Sequence, residues 1–288
     1  MKILVTGSAG QLGRELKRSL APLGEVVACD RRQLDLADAI ALRDALRAIA
    51  PDVIVNAAAY TAVDKAETDL ATATAVNATA PGVLAEEAKR LGAVLIHYST
   101  DYVFDGRKDG PYAEDDATAP LGAYGRTKLA GEQAIAAVAG RHLILRTSWV
   151  FGLHGANFLK TMLRLGRERD ELRVVGDQVG APTWTRHLAD VTALILDRRD
   201  HPAGLYHLVA AGAKTWHDYA EAIFAEALRL GVLDRRPRLH RIATADYPLP
   251  AARPANSRLD CAKFRRDFGL DLPDWRTGVA DCLADAHF

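Results

Sequence analysis

MKILVTGSAGQLG, residues 1–13, sets a short β-branched run, Ile3 to Val5, directly before Gly7, Gly10 and Gly13. A buried strand followed at once by a GxxGxxG turn that opens a helix is the start of a dinucleotide-binding βαβ unit. The first glycines admit backbone angles closed to other residues and let the chain approach a pyrophosphate. Gln11 and Leu12 then head a helix whose N-terminal amides face the phosphates, and Gly13 lets that helix pack on the strand. A glycine-rich turn after a strand also occurs without any ligand, so the rest of the chain has to decide.

Downstream the same rhythm repeats. After a helix over Gln11 to Leu20 come runs at Val26 to Cys29, Val53 to Val55, Val94 to Tyr98 and Leu143 to Leu145, separated by helical stretches at Ala37 to Ile49, Leu70 to Leu91 and Tyr124 to Ala139. Strands that are apolar without alternation, separated by helices, predict a parallel sheet covered on both faces. The fold class is therefore α/β, a doubly wound Rossmann-like parallel sheet with a smaller C-terminal substrate-binding lobe. We place a dinucleotide-binding domain at 1–150 and the lobe at 151–288, with segments near 172–208 returning to the main domain. The lobe reads as helices near Asn157 to Arg167, Arg186 to Asp197 and Tyr219 to Leu230, strands near Leu172 to Val175 and Gly204 to Leu208, a loop from Arg235 to Ser257, and two short terminal helices.

Composition narrows the function. Of 288 residues 49% are hydrophobic and 26% charged, enough for a substantial core, and 37 Lys plus Arg balance 37 Asp plus Glu. No overall field draws the chain to nucleic acid or an acidic membrane, so any anion is met locally. Cys29, Cys261 and Cys282 are too few and too scattered for a disulfide framework or a CxxC metal site. The N-terminal apolar run is too short for a signal peptide or a membrane span, which points to the cytoplasm.

Asp30 ends the second strand, where a carboxylate can accept from the adenosine ribose hydroxyls of NAD; Arg31 and Arg32 follow, where guanidinium groups could pair with the 2′-phosphate of NADP. Both NADPH and NADH remain open. Asp35, beside Leu36, could reach the adenine amine or cap the helix beginning near Ala37. The third strand runs into NAAAYT, residues 56–61, whose small Ala58 and Ala59 and adjoining Thr61 would let the chain lie against the cofactor. Thr100 and Asp101 follow the fourth strand, at the sheet's carboxyl edge, with Tyr98 counted among the cofactor contacts. Tyr124 and Lys128, one helical turn apart, share a face, which brings an ammonium to a phenol and lowers the phenol's pKa toward useful acid–base chemistry.

Taken together, GxxGxxG, NAAAYT, YSTDYVFDG (98–106), YGRTKLAGE (124–132), RTSWVF (146–151), Asn157-Phe158, DQVGAPT (177–183) and RPANSRL (253–259) resemble the extended short-chain dehydrogenase/reductase family over nearly the whole chain. The resemblance implies hydride transfer from NADPH or NADH to the C4 keto group of a nucleotide-diphosphate sugar. Tyr124 would donate the proton to the carbonyl oxygen, Lys128 would lower the Tyr124 pKa and hold the nicotinamide ribose, and Thr100 would bond near the carbonyl. Asp101, Trp149 and Asn157 would contact the sugar, although Trp149 also suits a core. Arg253, Asn256 and Ser257 would meet the diphosphate. Some members are described as dimers bridged by magnesium through glutamates; Glu15 matches one such position, but Arg186 stands where another is expected, and a cation there repels a metal. No metal is therefore expected, and the chain is a monomer or homodimer. An epimerase or dehydratase of the same fold would keep its NAD tightly bound, and Tyr102 stands where a dehydratase's second carboxylate would. A non-catalytic dinucleotide-binding regulatory subunit would be free to lose Thr100, Tyr124 and Lys128.

Overall fold

In a computed structural model describing residues 1–198 and 202–286, strand β1 (Lys2–Thr6) buries Ile3 and Val5 on one face and Leu4 on the other. Successive strand side chains point to opposite faces, so a strand apolar at every position needs cover on both. The chain continues through α1 (Gln11–Leu20), β2 (Glu25–Cys29), α2 (Ala39–Ile49), β3 (Val53–Asn56), α3 (Val63–Ala66), α4 (Leu70–Thr74), a π-helical turn (Ala75–Thr79) and α5 (Ala80–Leu91). Next come β4 (Val94–Thr100), α6 (Ala123–Val138) and β5 (His142–Thr147). The remaining elements are β6 (Val150–Phe151), α7 (Phe158–Glu168), β7 (Glu171–Val175), β8 (Val179–Gly180), β9 (Thr183–Trp184), α8 (Thr185–Asp197), β10 (Gly204–His207), β11 (Lys214–Thr215), α9 (Trp216–Arg229), β12 (Arg238–Ile242), α10 (Ala262–Phe268) and α11 (Trp275–Ala284).

Six parallel strands form the main sheet in the order β2-β1-β3-β4-β5-β10. The order reverses beside β1, and the crevice at that switch point is where open α/β sheets take their ligands. Leu16, Leu20, Leu188 and Val191 cover one face from α1 and α8, while Leu42, Leu46, Val83, Leu84 and Ile135 cover the other from α2, α5 and α6. A separate core gathers α7, α9 and α11 around Phe151, Tyr219, Phe224 and Trp275.

Chain order and spatial order part company in the second half. Of the stretch 172–208 expected to rejoin the main domain, α8 packs on α1 and β10 extends the main sheet, but β7 pairs in parallel with β12 in a separate two-stranded sheet. That β12 lies inside the stretch read as a loop. Its residues are half-buried or exposed, so it lacks the apolar run that marks a central strand. Phe264 and Phe268 of α10 also cross back to the main core.

The Ala-rich stretch is not one helix. At the π turn the side chain of Asn77 accepts from the Tyr60 amide at 2.8 Å and donates to the Tyr60 carbonyl at 3.1 Å and to Thr127 Oγ1 at 3.2 Å, tying the segment after β3 to α6. Helix α2 is capped by Asp38 rather than Asp35, since Asp38 accepts from the amides of Ile40 and Ala41. Among the described residues no helix is long and apolar enough to cross a membrane.

Glu132 of α6 and Arg146 of β5 form a buried two-pronged ion pair with N–O distances of 2.9 and 2.7 Å, and the guanidinium lies 5.0 Å from the Phe104 ring centre. Removing one partner of such a pair strands the other charge in a low-dielectric interior. Glu132→Ala is expected to lower unfolding stability by roughly 3–5 kcal/mol, read from urea denaturation midpoints; a loss below about 1 kcal/mol would mean that water reaches Arg146.

Candidate active site

Gly7 holds a positive φ of 69°, and a Cβ there would come within 2.8 Å of the backbone of Ala58 on the neighbouring strand's exit. Gly10 caps α1 without a side chain, and the first turn carries no acidic residue, so the leading amides face open space suited to an anion. Gly13 does not line that space. A Cβ on it would sit 2.1 Å from the Gly7 carbonyl oxygen, so its part is to let α1 close on the turn.

A cavity of about 790 Å³ runs from this turn along the carboxyl edge of the sheet. Gly7, Gly10, Gln11, Leu12, Asp30, Arg31, Asp35 and Leu36 line one end, Ala58, Ala59 and Thr61 the middle, and Tyr98, Thr100, Asp101, Tyr124, Lys128 and Trp149 the other. Arg32 is not among the lining residues, whereas Arg31 is, loosely paired with Asp35 at 3.5 Å. Asp30 bonds the amides of Arg32 and Gln33, which fixes its carboxylate at the strand end.

At the far end the polar groups are nearly all buried. The Tyr124 phenol stands beside the Thr100 hydroxyl, which donates to Asp101 Oδ1 at 3.1 Å; burial pushes the phenol up to about 12, Thr100 offsets part of the rise, and Asp101 adds to it. Asp101 is pushed up to about 6, chiefly by burial, with the nearby Ser257 side chain and the hydrogen bond from Thr100 Oγ1 pulling the other way, and its Oδ2 is buried without a hydrogen-bond partner. Lys128 lies 1% exposed and its amine falls to about 8 by burial, with Glu132 pulling the other way. The expected lowering of the phenol by this lysine is absent. Its Nζ donates to the Tyr98 carbonyl at 2.7 Å and lies 3.1 Å from His97 Nε2, so it faces the strand instead of Tyr124.

Several residues take places other than those expected. The Tyr98 hydroxyl is 2.5 Å from Thr192 Oγ1 on α8, which leaves its backbone carbonyl as the group that serves Lys128. Asn157 caps α7 and donates to Gln11 Oε1 at 2.8 Å and the Gly152 carbonyl at 2.7 Å, strapping the lobe to the phosphate turn rather than facing the cavity. Arg253 grips Asp64 with both Nη atoms, at 2.6 and 2.7 Å, so its charge is already matched. Asn256 spends its amide on the carbonyls of Lys108 and Gly110 and on Arg258. Ser257 is buried and backs Asp101. Trp149 sits at a positive φ of 46° and stacks on Trp216 with ring centres 3.5 Å apart, joining the cavity to the lobe. Sequence reading gave no binding or catalytic role to His97, a polar residue inside a buried strand, or to Tyr102, Thr147 and Ser148, which line the cavity.

Outside the cavity, Glu15 is buried and accepts from Arg18 at 3.1 Å and from Arg186 at 3.2 Å, and Arg186 also pairs with Asp285. On α9, ligand-type atoms of His217, Asp218 and Glu221 lie within 4.8 Å of one another, with the Arg241 guanidinium 2.5 Å from Asp218.

The family described as RmlD substrate binding domain matches residues 1–288. A dTDP-4-dehydrorhamnose reductase of Shigella flexneri is 51% identical, covering 98% of this chain and 97% of its own length. One of Burkholderia thailandensis is 50% identical, covering 99% of each. The crystal structure of a dTDP-4-dehydrorhamnose reductase from Bacillus anthracis in complex with NADP superimposes with a TM-score of 0.93 at 33% identity, covering 99% of each chain.

Because burial keeps the proton on Asp101 to a higher pH in the folded chain than in the unfolded one, folding takes up a proton between about pH 4 and 6, and the stability so gained is lost as pH rises through about 6. Asp101→Asn cannot titrate. Its stability relative to the parent chain is expected to rise by on the order of 2–3 kcal/mol between pH 4 and pH 7.5, measured from urea midpoints at the two pH values; a pH-independent difference would show that the carboxylate titrates as it does in the unfolded chain.

Proposed function

The chain belongs to the RmlD substrate binding domain family, and from that membership we propose that it reduces the C4 keto group of dTDP-4-dehydro-L-rhamnose to give dTDP-L-rhamnose, a step of dTDP-rhamnose biosynthesis. The observation that carries the reading is the pairing of Tyr124 and Thr100 in one cavity with the glycine turn of α1. A hydroxyl pair at the carboxyl end of β4 can bond a carbonyl oxygen, and the turn can seat a dinucleotide's phosphates.

NADPH or NADH supplies the hydride when bound. The residues fit such a cofactor: the missing side chain at Gly7 leaves room beside Ala58, and the uncapped amides of α1 await an anion. Asp30 and Arg31 would hold the adenosine ribose, Ala58, Ala59 and Thr61 would let the cofactor lie against the chain, and Lys128 would hold the nicotinamide ribose. Tyr124 starts neutral, since its phenol titrates near 12, and so holds the proton that the sugar oxygen takes. Thr100 orients that oxygen. Asp101 and Trp149, which line the same cavity, would contact the sugar.

Purified protein should oxidise NADPH in the presence of dTDP-4-dehydro-L-rhamnose generated in place, followed by loss of absorbance with NADH run in parallel. Tyr124→Phe should lower kcat by roughly 10²–10⁴-fold, the usual worth of a positioned acid, while the NADPH dissociation constant changes less than about twofold. Near-normal turnover in this variant would remove Tyr124 as the proton donor. Stoichiometric NAD retained through purification, with no net oxidation of either cofactor, would instead favour an epimerase of the same fold.

A further inference from the structure

Behind Lys128 lies a line of buried polar groups that the reaction as described does not use. On β1, Thr6 Oγ1 donates to Asn56 Oδ1 of β3 at 2.6 Å; Asn56 Nδ2 donates to His97 Nδ1 of β4 at 2.9 Å; His97 Nε2 lies 3.1 Å from Lys128 Nζ. All four residues are at most 1% exposed. The line crosses three adjacent strands and ends on the amine beside the cavity.

Counting hydrogens gives this line two states. A neutral imidazole carries one N–H, and His97 is uncharged because burial and the neighbouring Lys128 push its pKa well below the ordinary value. With Asn56 oriented as observed, its Oδ1 accepts from Thr6 and from the Ala58 amide at 3.3 Å, so Nδ1 of His97 is an acceptor and the ring proton sits on Nε2. That proton points at Lys128, which must then offer a lone pair: the amine is neutral. An ammonium at Lys128 needs Nε2 as an acceptor. The ring proton must then move to Nδ1, and the Asn56 amide must turn over to receive it, giving up the 3.3 Å bond from the Ala58 amide and turning Thr6 Oγ1 from donor to acceptor.

We propose that His97 is a positioning residue for Lys128, with its tautomer locked to the protonation state of that amine through Asn56. The ring aims Nζ toward the Tyr98 carbonyl, and each time Lys128 gains or loses its proton the buried line reverses its hydrogen bonds as one unit. Other charged groups close to the line are already engaged. Glu132, one turn along α6, is held by Arg146 of β5, and Asp101 and Tyr124 face the cavity side. From β1 and β3 only the uncharged Thr6 and Asn56 meet it.

The kinetic part of the test rests on the reductase reading, while the spectroscopic part needs no turnover, so the two fail separately. In protein labelled with 15N histidine, the His97 ring is expected to stay neutral from pH 6 to pH 10 and to exchange an Nδ1–H pattern for an Nε2–H pattern as pH rises through the titration of Lys128, near 8. A ring that keeps one tautomer throughout, or that charges near pH 6.5 like a free imidazole, overturns the proposal. For turnover, His97→Leu removes the acceptor of the ammonium, so the alkaline-side titration in kcat should move down by about one to two pH units and kcat at pH 7 should fall about two- to tenfold. His97→Gln, whose amide can present either an oxygen or an N–H to Nζ, should restore most of both. A folded His97→Leu protein with an unchanged pH profile would also overturn it.

Discussion

Gly13 rests on the carbonyl of Gly7, and the site is built outward from that contact. A single methyl at position 13 would lie 2.1 Å from the oxygen, so α1 can start over the turn only because nothing is there. With the helix in place its uncapped amides point along the sheet edge, and Ala58 can close on Gly7 from β3. Parallel pairing of β1 with β3 and of β3 with β4 then aligns the strand exits, which places Thr100 downstream of the same cavity as the phosphate turn. Backbone proximity at one turn therefore sets distances at the reacting end.

Helix α6 carries the second set of constraints on one stripe. Tyr124, Lys128 and Glu132 stand at intervals of four and so face the same way, but each meets a different neighbour. Tyr124 meets Thr100 at the cavity, Lys128 the strand carbonyl and His97, and Glu132 the Arg146 guanidinium. Burying an ammonium is unfavourable unless its donors are used. Nζ has two partners, the Tyr98 carbonyl and His97, and burial still lowers the amine to about 8. The ion pair that anchors α6 to β5 also supplies the carboxylate whose charge raises the Lys128 amine, so stability and amine chemistry share one carboxylate.

How far the sequence could be read followed from how each element is buried. The sheet strands were plain because parallel strands buried on both faces are apolar at every position, and the glycine turn was plain because its spacing follows from steric need. The strand Arg238–Ile242 was not, being a half-exposed partner in a two-stranded sheet with no apolar run to mark it. Among site residues, small and acidic types at strand ends lay where topology puts ligands. Polar and cationic residues from the second half were harder, since a sequence does not tell whether Arg253 meets a diphosphate or Asp64, or whether Asn256 faces a ligand or the loop carbonyls of Lys108 and Gly110. His97 was hidden for the converse reason: its chemistry depends on Asn56 and Lys128, both far away along the chain.

The same burial also biases the direction of proton transfer. A phenol held near 12 is almost wholly protonated at neutral pH and can give a proton to an oxygen that is gaining negative charge. Acting as a base toward a sugar alcohol would require the phenolate, which burial and the neighbouring Asp101 both disfavour. In the ligand-free chain Lys128 faces the strand and gives the phenolate no compensating charge. Reduction therefore begins from the protonation state the fold already prefers, whereas oxidation would first have to reverse it.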